Sequence, residues 1–181
     1  RRLATEFGCQ WLHVHDFPTR TLKSASSYPE FDGLKVSMYE EPIRFLADLF
    51  ARDGSLLEVL DADHTIVDGK LADFYGVKDA YNRQRALQKT PGDWIRLSGM
   101  RAVGRGGMLG WASTLAAPSG AARTSPILRG NWVSEVLLGE KLPRPPKQVP
   151  QLPADESATE GLTVRELVSR HSTDESCAKC H

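Results

Sequence analysis

The chain has 181 residues, 40% of them hydrophobic and 25% charged, which is enough for one ordinary domain with a core and a small appendage. Its 23 Lys and Arg balance 23 Asp and Glu, so no global charge directs it to nucleic acid or to an anionic membrane. No apolar run approaches the roughly 18 residues that a membrane-spanning helix needs.

Helical signals then dominate in chain order. Residues 1–13 can wind as a helix that places Leu3, Phe7, Trp11 and the following Val14 near one face, at spacings of three and four. Residues 34–52 carry a stronger stripe of Leu34, Met38, Phe45, Leu46 and Leu49, with Glu40, Glu41, Arg44 and Asp48 expected largely off it. Pro42 interrupts that pattern and should either kink the helix or mark its first turn. After the Asp53-Gly54 turn, Ser55 can cap a short helix to Leu60, and a further helix is expected from about Ile66 to Tyr75, closed by Gly76.

Residues 78–91 are polar and weakly patterned, a loop or a short helix. Trp94-Ile95-Arg96-Leu97 is the one strand signal, and Gly104-Arg105-Gly106-Gly107 should turn the chain into an apolar helix over residues 108–116. A hydroxyl followed by proline at Ser125-Pro126 starts the best-marked helix, 125–138, and Gly139 stops it. Residues 142–153 hold five prolines, which favours an extended linker. Thr163-Val164-Arg165-Glu166 fits the capping-box pattern for a helix through about Arg170, and Thr173 or Asp174 can cap one more. The expected fold class is mainly α: an irregular helical domain, the Pro-rich linker, and a short, truncated helical segment over 162–181.

Charge is uneven along this chain. Residues 30–63 hold nine acidic and three basic side chains, and residues 78–105 hold seven basic and two acidic ones. The two stretches are expected to pair and neutralise each other.

The chemistry-bearing motif is the closing Cys177-Ala178-Lys179-Cys180-His181. Covalent haem attachment needs two thiols that add to the vinyl groups of one porphyrin edge and an imidazole that reaches the iron. On a helix Cys177 and Cys180 share a side and His181 follows directly, so His181 is the expected axial ligand of a haem c. Half of a zinc knuckle and a reducible thiol pair are the alternatives. A four-coordinate zinc site would draw its remaining ligands from Cys9, His171, His13, His15 and His64, and Cys9 sits on an apolar helix face where a free thiol behaves as a small hydrophobe. No sixth haem ligand is assigned: Met38, Met100 and Met108 and the four other histidines each have a plain structural reading.

Weaker patterns carry less. Residues 61–69 superficially resemble a calcium loop, but Ile66 stands where the turn glycine belongs and the terminal glutamate is absent. The glycines of residues 104–110 with Arg105 could cradle an anion, although a tight turn suits them better. His13-Val14-His15 forms no good metal pair. No nucleophile, base and orienting group stand in a recognisable pattern, so no catalytic residue is named.

Four stretches together, 7–16, 38–65 with Met38-Tyr39-Glu40-Glu41 and Leu60-Asp61-Ala62-Asp63-His64-Thr65, 123–133 and the closing Cys177-Ala178-Lys179-Cys180-His181, resemble the planctomycete secreted multidomain proteins with cytochrome-c-like modules, domains of unknown function. The resemblance implies one family module over 1–117 and the N-terminal part of a cytochrome-like module over 118–181. It also implies export to the periplasm or beyond, with a signal peptide upstream, and haem binding. Pro42 departs from the family pattern. The chain begins at Arg1 without a methionine and stops at the motif histidine, so both ends are expected to be cuts through a longer protein. The functional expectation is an extracytoplasmic electron-transfer module with a redox partner protein. The alternatives are an accessory region of a secreted oxidoreductase acting on polysaccharide-derived substrates, or a structural scaffold.

Overall fold

A computed structural model describes residues 1–88, 92–142 and 161–173. The chain divides into two units, Arg1–Pro118 and Ser119–His181.

The first unit opens with a π-helical stretch, Ala4–Gly8, that runs into α1 (Cys9–Trp11). Its packing face differs from the expected one. Ala4, Gly8, Cys9 and Leu12 are buried, whereas Leu3, Phe7 and Trp11 are exposed, with Phe7 and Trp11 stacked at 6.1 Å. The reason is close approach: a Cβ on Gly8 would run into the Leu46 side chain, so the small-residue face is the one that fits against the next long helix. The π-helical winding also shifts residues off the 3.6 period on which the predicted stripe rests. His13 closes the helix in the left-handed region, at φ 57°, and α2 (Phe17–Arg20) follows.

α3 (Phe31–Ala51) is the central helix of this unit. It buries Leu34, Met38, Phe45, Leu46 and Leu49 as the stripe predicts, and it starts three residues earlier than the stripe. Pro42 lies inside it and does not end it. Five successive 3.6-residue turns of tertiary contact outweigh one missing backbone donor. The Ser55 turn leads to α4 (Glu58–Asp61).

Residues 64–75 correct a second expectation. β1 (His64–Val67) precedes a shorter helix, α5 (Gly69–Phe74). Thr65-Ile66-Val67 is a β-branched run suited to a strand. Asp68, extended at φ −91° and ψ 179°, stops that strand and caps α5 by accepting the Leu71 amide at 2.9 Å. Its other carboxylate oxygen accepts the Ser37 hydroxyl of α3 at 2.6 Å.

α6 (Lys78–Ala86) resolves the ambiguous polar stretch as a helix, anchored by buried Tyr81, whose hydroxyl donates to the Asp93 carbonyl at 2.7 Å. β2 (Ile95–Ser98), shifted one residue from the expected strand, pairs antiparallel with β1 in the register His64 with Ser98 and Val67 with Ile95. Arg96 of β2 pairs with Asp48 at 2.8 Å and Arg101 with Asp61, so the basic stretch does meet the acidic one.

The expected helix over 108–116 is broken at Trp111. A 3-10 turn, Met108–Gly110, precedes α7 (Ala112–Ala116), and Trp111 between them is extended at ψ 140° and fully buried. Gly107 makes this possible. Its φ is +65°, and a Cβ there would meet the Leu60 carbonyl.

In the second unit α8 (Pro126–Trp132) begins as predicted, with the Ser125 hydroxyl accepting the Leu128 amide at 3.2 Å. It continues as a π-helical turn, Val133–Leu137, and Gly139 stands at φ +69°. α9 (Val164–Thr173) has the predicted capping box: the Thr163 amide donates to Glu166 at 2.7 Å and the Glu166 amide donates to the Thr163 hydroxyl at 3.3 Å. The helix runs through Thr173, and the further helix expected after it lies outside the described residues. Residues 143–153 of the Pro-rich stretch, Asp174 and the haem-type motif lie outside the described residues. The chain is mainly helical with one small two-stranded sheet among the described residues.

Candidate functional site

Two places in the molecule are candidates for a functional role. The first is Cys177, Cys180 and His181, which lie outside the described residues. Their sequence supplies the donor set: two thiols three residues apart and a directly following imidazole. Of the other candidate ligands, His171 lies in α9.

Five of the others, Met38, Met100, Met108, Cys9 and His64, are buried in the first unit. Met38, Met100 and Met108 are buried in its core, at 4%, 2% and 0% exposure, where they serve packing. Cys9 is a buried free thiol whose pKa is pushed up by burial, which keeps it protonated. His64 stacks on Phe45 at 5.0 Å, and burial, then the neighbouring Arg96, holds its imidazole below the usual histidine range. No group of three His, Cys, Asp or Glu among the described residues could hold a metal ion. The calcium-loop look-alike is occupied by other work: Asp61 pairs with Arg101, Asp63 accepts the Arg101 amide at 2.9 Å and Asp68 caps α5. The glycine-rich turn is a turn. Its Arg105 guanidinium lies over the Tyr75 ring at 4.4 Å and donates to the Gly110 carbonyl at 3.2 Å.

The second place is Glu41, which the helical pattern put on the polar face of α3. It is fully buried. One carboxylate oxygen accepts the Thr65 hydroxyl of β1 at 2.7 Å, and the other accepts the Tyr75 hydroxyl at the end of α5 at 2.6 Å. The Ala112 amide, the first of α7, donates to the Tyr75 oxygen at 3.1 Å and reaches the carboxylate at 3.4 Å. Trp111, one residue earlier, packs edge-on to Phe45 at 5.0 Å. Three segments besides α3 therefore converge on one carboxyl group.

Burial drives the electrostatics here. It lifts the Glu41 carboxyl to about 7, against the downward pull of the Tyr75 and Thr65 hydroxyls, the Ala112 amide and the Arg105 cation. Burial and the neighbouring carboxylate push the Tyr75 phenol well above its ordinary value. A substrate has no access to a side chain with zero exposure, so the cluster can hold and exchange a proton but does not present a reactive group. The signal for Glu41 was in the spacing: it stands three residues after Met38 and four before Phe45, both on the buried stripe. Nothing in the sequence marked Tyr75 or Ala112 as its partners.

Residues 1–77 match the family PSD4, described as a protein of unknown function (DUF1592), and residues 105–181 match PSCyt3, a protein of unknown function (DUF1588). The chain thus joins two domains of the planctomycete PSD and PSCyt type, and the second is a cytochrome-like domain of unknown function. No curated protein and no solved structure matches the chain. The PSCyt3 match begins at Arg105, inside the first structural unit, so Arg105, Trp111 and Ala112 reach the Glu41 cluster from that side.

Proposed function

We propose that this pairing of a PSD4 with a PSCyt3 domain is an extracytoplasmic electron-transfer module in which Cys177 and Cys180 attach a haem c and His181 ligates its iron. The observation that carries the reading is Cys177-Ala178-Lys179-Cys180-His181 falling within the PSCyt3 match. A chance occurrence of this pattern in a chain with 3 Cys and 5 His is rare, roughly once in a thousand sequences of this composition.

The donor set fits the group. A haem supplies a one-electron iron couple. The two thiols would tether it, and the neutral imidazole of His181 would serve as an iron ligand. The attachment would take place outside the cytoplasm, in keeping with the export that the family resemblance implies. The first unit would then serve as the body that docks a redox partner protein. Zinc binding is the competing use of the same residues, and a four-coordinate site would need a further ligand in addition to these three.

Expression of the chain in its parent protein, in a host equipped for cytochrome c maturation, tests the reading. Covalent haem that survives denaturing electrophoresis, and that disappears in Cys177→Ala with Cys180→Ala, is the expected result. Stoichiometric zinc with no covalent haem would overturn it.

A further inference from the structure

Residues 55–61 wind as a helical turn that is apolar on two sides. The Glu58 amide donates to the Ser55 carbonyl, the Val59 amide to Leu56 and the Leu60 amide to Leu57. Val59 enters the core. Leu60 follows Leu56 by four residues and Leu57 by three, so the three leucines share the opposite side, and they stand 52%, 73% and 72% exposed. We propose that this leucine face, extended by Leu109 on the 3-10 turn that packs against α4, is the surface through which two copies of the chain associate. The inference is independent of haem attachment.

The charges around the face select its partner. Arg52, just past the end of α3, grips Glu58 by two guanidinium nitrogens, one of them at 2.9 Å, and Arg101 pairs with Asp61. The first and last residues of α4 are thereby pinned from outside the helix, and its leucines are presented on a fixed turn, so little ordering remains for association to bring about. The neighbouring cations are all engaged within the chain: Arg52 also takes Asp48 at 3.0 Å, and Arg96 takes the same carboxylate at 2.8 Å. They leave no positive charge to draw in an anionic membrane or a nucleic acid, and the exposed Asp53 and Asp63 beside them repel both. A partner with an apolar centre and a nearly neutral rim fits this face. A second copy brings that same face: about a two-fold axis leucine meets leucine, and the closed ion pairs stay at the rim with none of them broken.

Area sets the strength. With Leu109 at 48% exposure, the four leucines together show roughly 450 Å², the size at which a monomer's largest apolar patch is often functional. A standard stable interface buries about 800 Å² on each partner. The leucines supply about half of that and the rim supplies the rest, which gives a reversible dimer of micromolar strength and not an obligate one.

Sedimentation equilibrium of the full chain tests this. The mean mass is expected to climb from 20.0 kDa towards twice that value, with a dissociation constant on the order of 10 to 100 µM. Added salt should tighten the dimer, because it screens Asp53 and Asp63 of one copy from those of the other. Leu56→Ser combined with Leu57→Ser should raise the dissociation constant about 10-fold or more, with an unchanged urea midpoint, since both side chains are already largely in water. Phe7→Ser, on the separate exposed face of the first helix, should leave the constant where it is. Should the leucine pair variant fail to fold, Leu60→Ser combined with Leu109→Ser takes its place with the same expected loss. A chain that stays monomeric up to about 300 µM overturns the proposal, as does a dimer that survives the leucine substitutions, is abolished by Phe7→Ser or dissolves in salt. A monomer that binds phosphatidylcholine–phosphatidylserine vesicles through these leucines assigns the face to a membrane and overturns it as well.

Discussion

Replacement of Glu41 by glutamine removes a buried charge and keeps the side chain's volume, so it isolates what ionisation costs the fold. In the native state the carboxyl titrates at about 7, against an ordinary value of 4.5. The folded protein therefore binds this proton more tightly than the unfolded chain does. Its contribution to stability is fully present below about pH 4.5 and is lost as pH rises through about 7. The difference of the two values amounts to about 3 kcal/mol in full, of which between about 2 and 3 kcal/mol falls between pH 5 and pH 8. His64 works in the opposite direction. Its folded value is depressed, so it adds stability as pH rises through the ordinary histidine range. The difference between wild type and Glu41→Gln at each pH cancels that contribution.

Urea unfolding followed by tryptophan fluorescence at half-unit steps from pH 5 to pH 8 measures this difference. At low pH the variant should be the less stable one, since its amide must fit donors from Thr65, Tyr75 and Ala112 where a carboxyl accepted them. As pH rises the wild type should lose ground, and the gap should close or reverse by pH 8. A wild-type stability curve parallel to that of Glu41→Gln across the whole range would refute the assignment of burial as the dominant influence on this carboxyl.

Other perturbations discriminate between packing and backbone effects. Trp111→Ala should cost about 3 to 5 kcal/mol in urea unfolding by emptying the space against Phe45, whereas Trp111→Phe should cost far less, because the buried indole N–H has no hydrogen-bond partner among the described residues. Gly76→Ala should cost about 1 to 2 kcal/mol, since its φ of +71° is strained for alanine but the space is open. Gly107→Ala should lower the thermal midpoint much further, because the Leu60 carbonyl stands where the Cβ would go. Asp68→Ala should cost about 1 to 2 kcal/mol through loss of the α5 cap and the Ser37 bond. An NMR titration of His64 should find its midpoint below that of an exposed histidine, and an ordinary midpoint would remove the case for its burial against Arg96.

Much of the fold followed from local rules. The α3 stripe, the Ser125 cap with Pro126 behind it and the Thr163–Glu166 capping box are short-range patterns, satisfied within one or two helical turns, and each appears where the residues predict. The helical class and the cysteine and histidine spacing at 177–181 belong to the same level, since both depend on residue types and intervals alone. The first helix shows where that level ends. Leu3, Phe7 and Trp11 have the apolar periodicity of a buried face, but Gly8 and Ala4 allow the closer approach to α3, and no single-helix pattern reveals which face its neighbour can reach. β1 depended on a partner thirty residues away. Glu41 depended on three: the Thr65 and Tyr75 hydroxyls and the Ala112 amide that arrives with the turn at Gly107. By itself the sequence determined helices, caps and a cysteine-histidine motif suited to haem. Only the tertiary structure decided that an acidic residue in the middle of α3 loses all its water, because desolvation is a property of everything packed around a group and not of its neighbours in the chain.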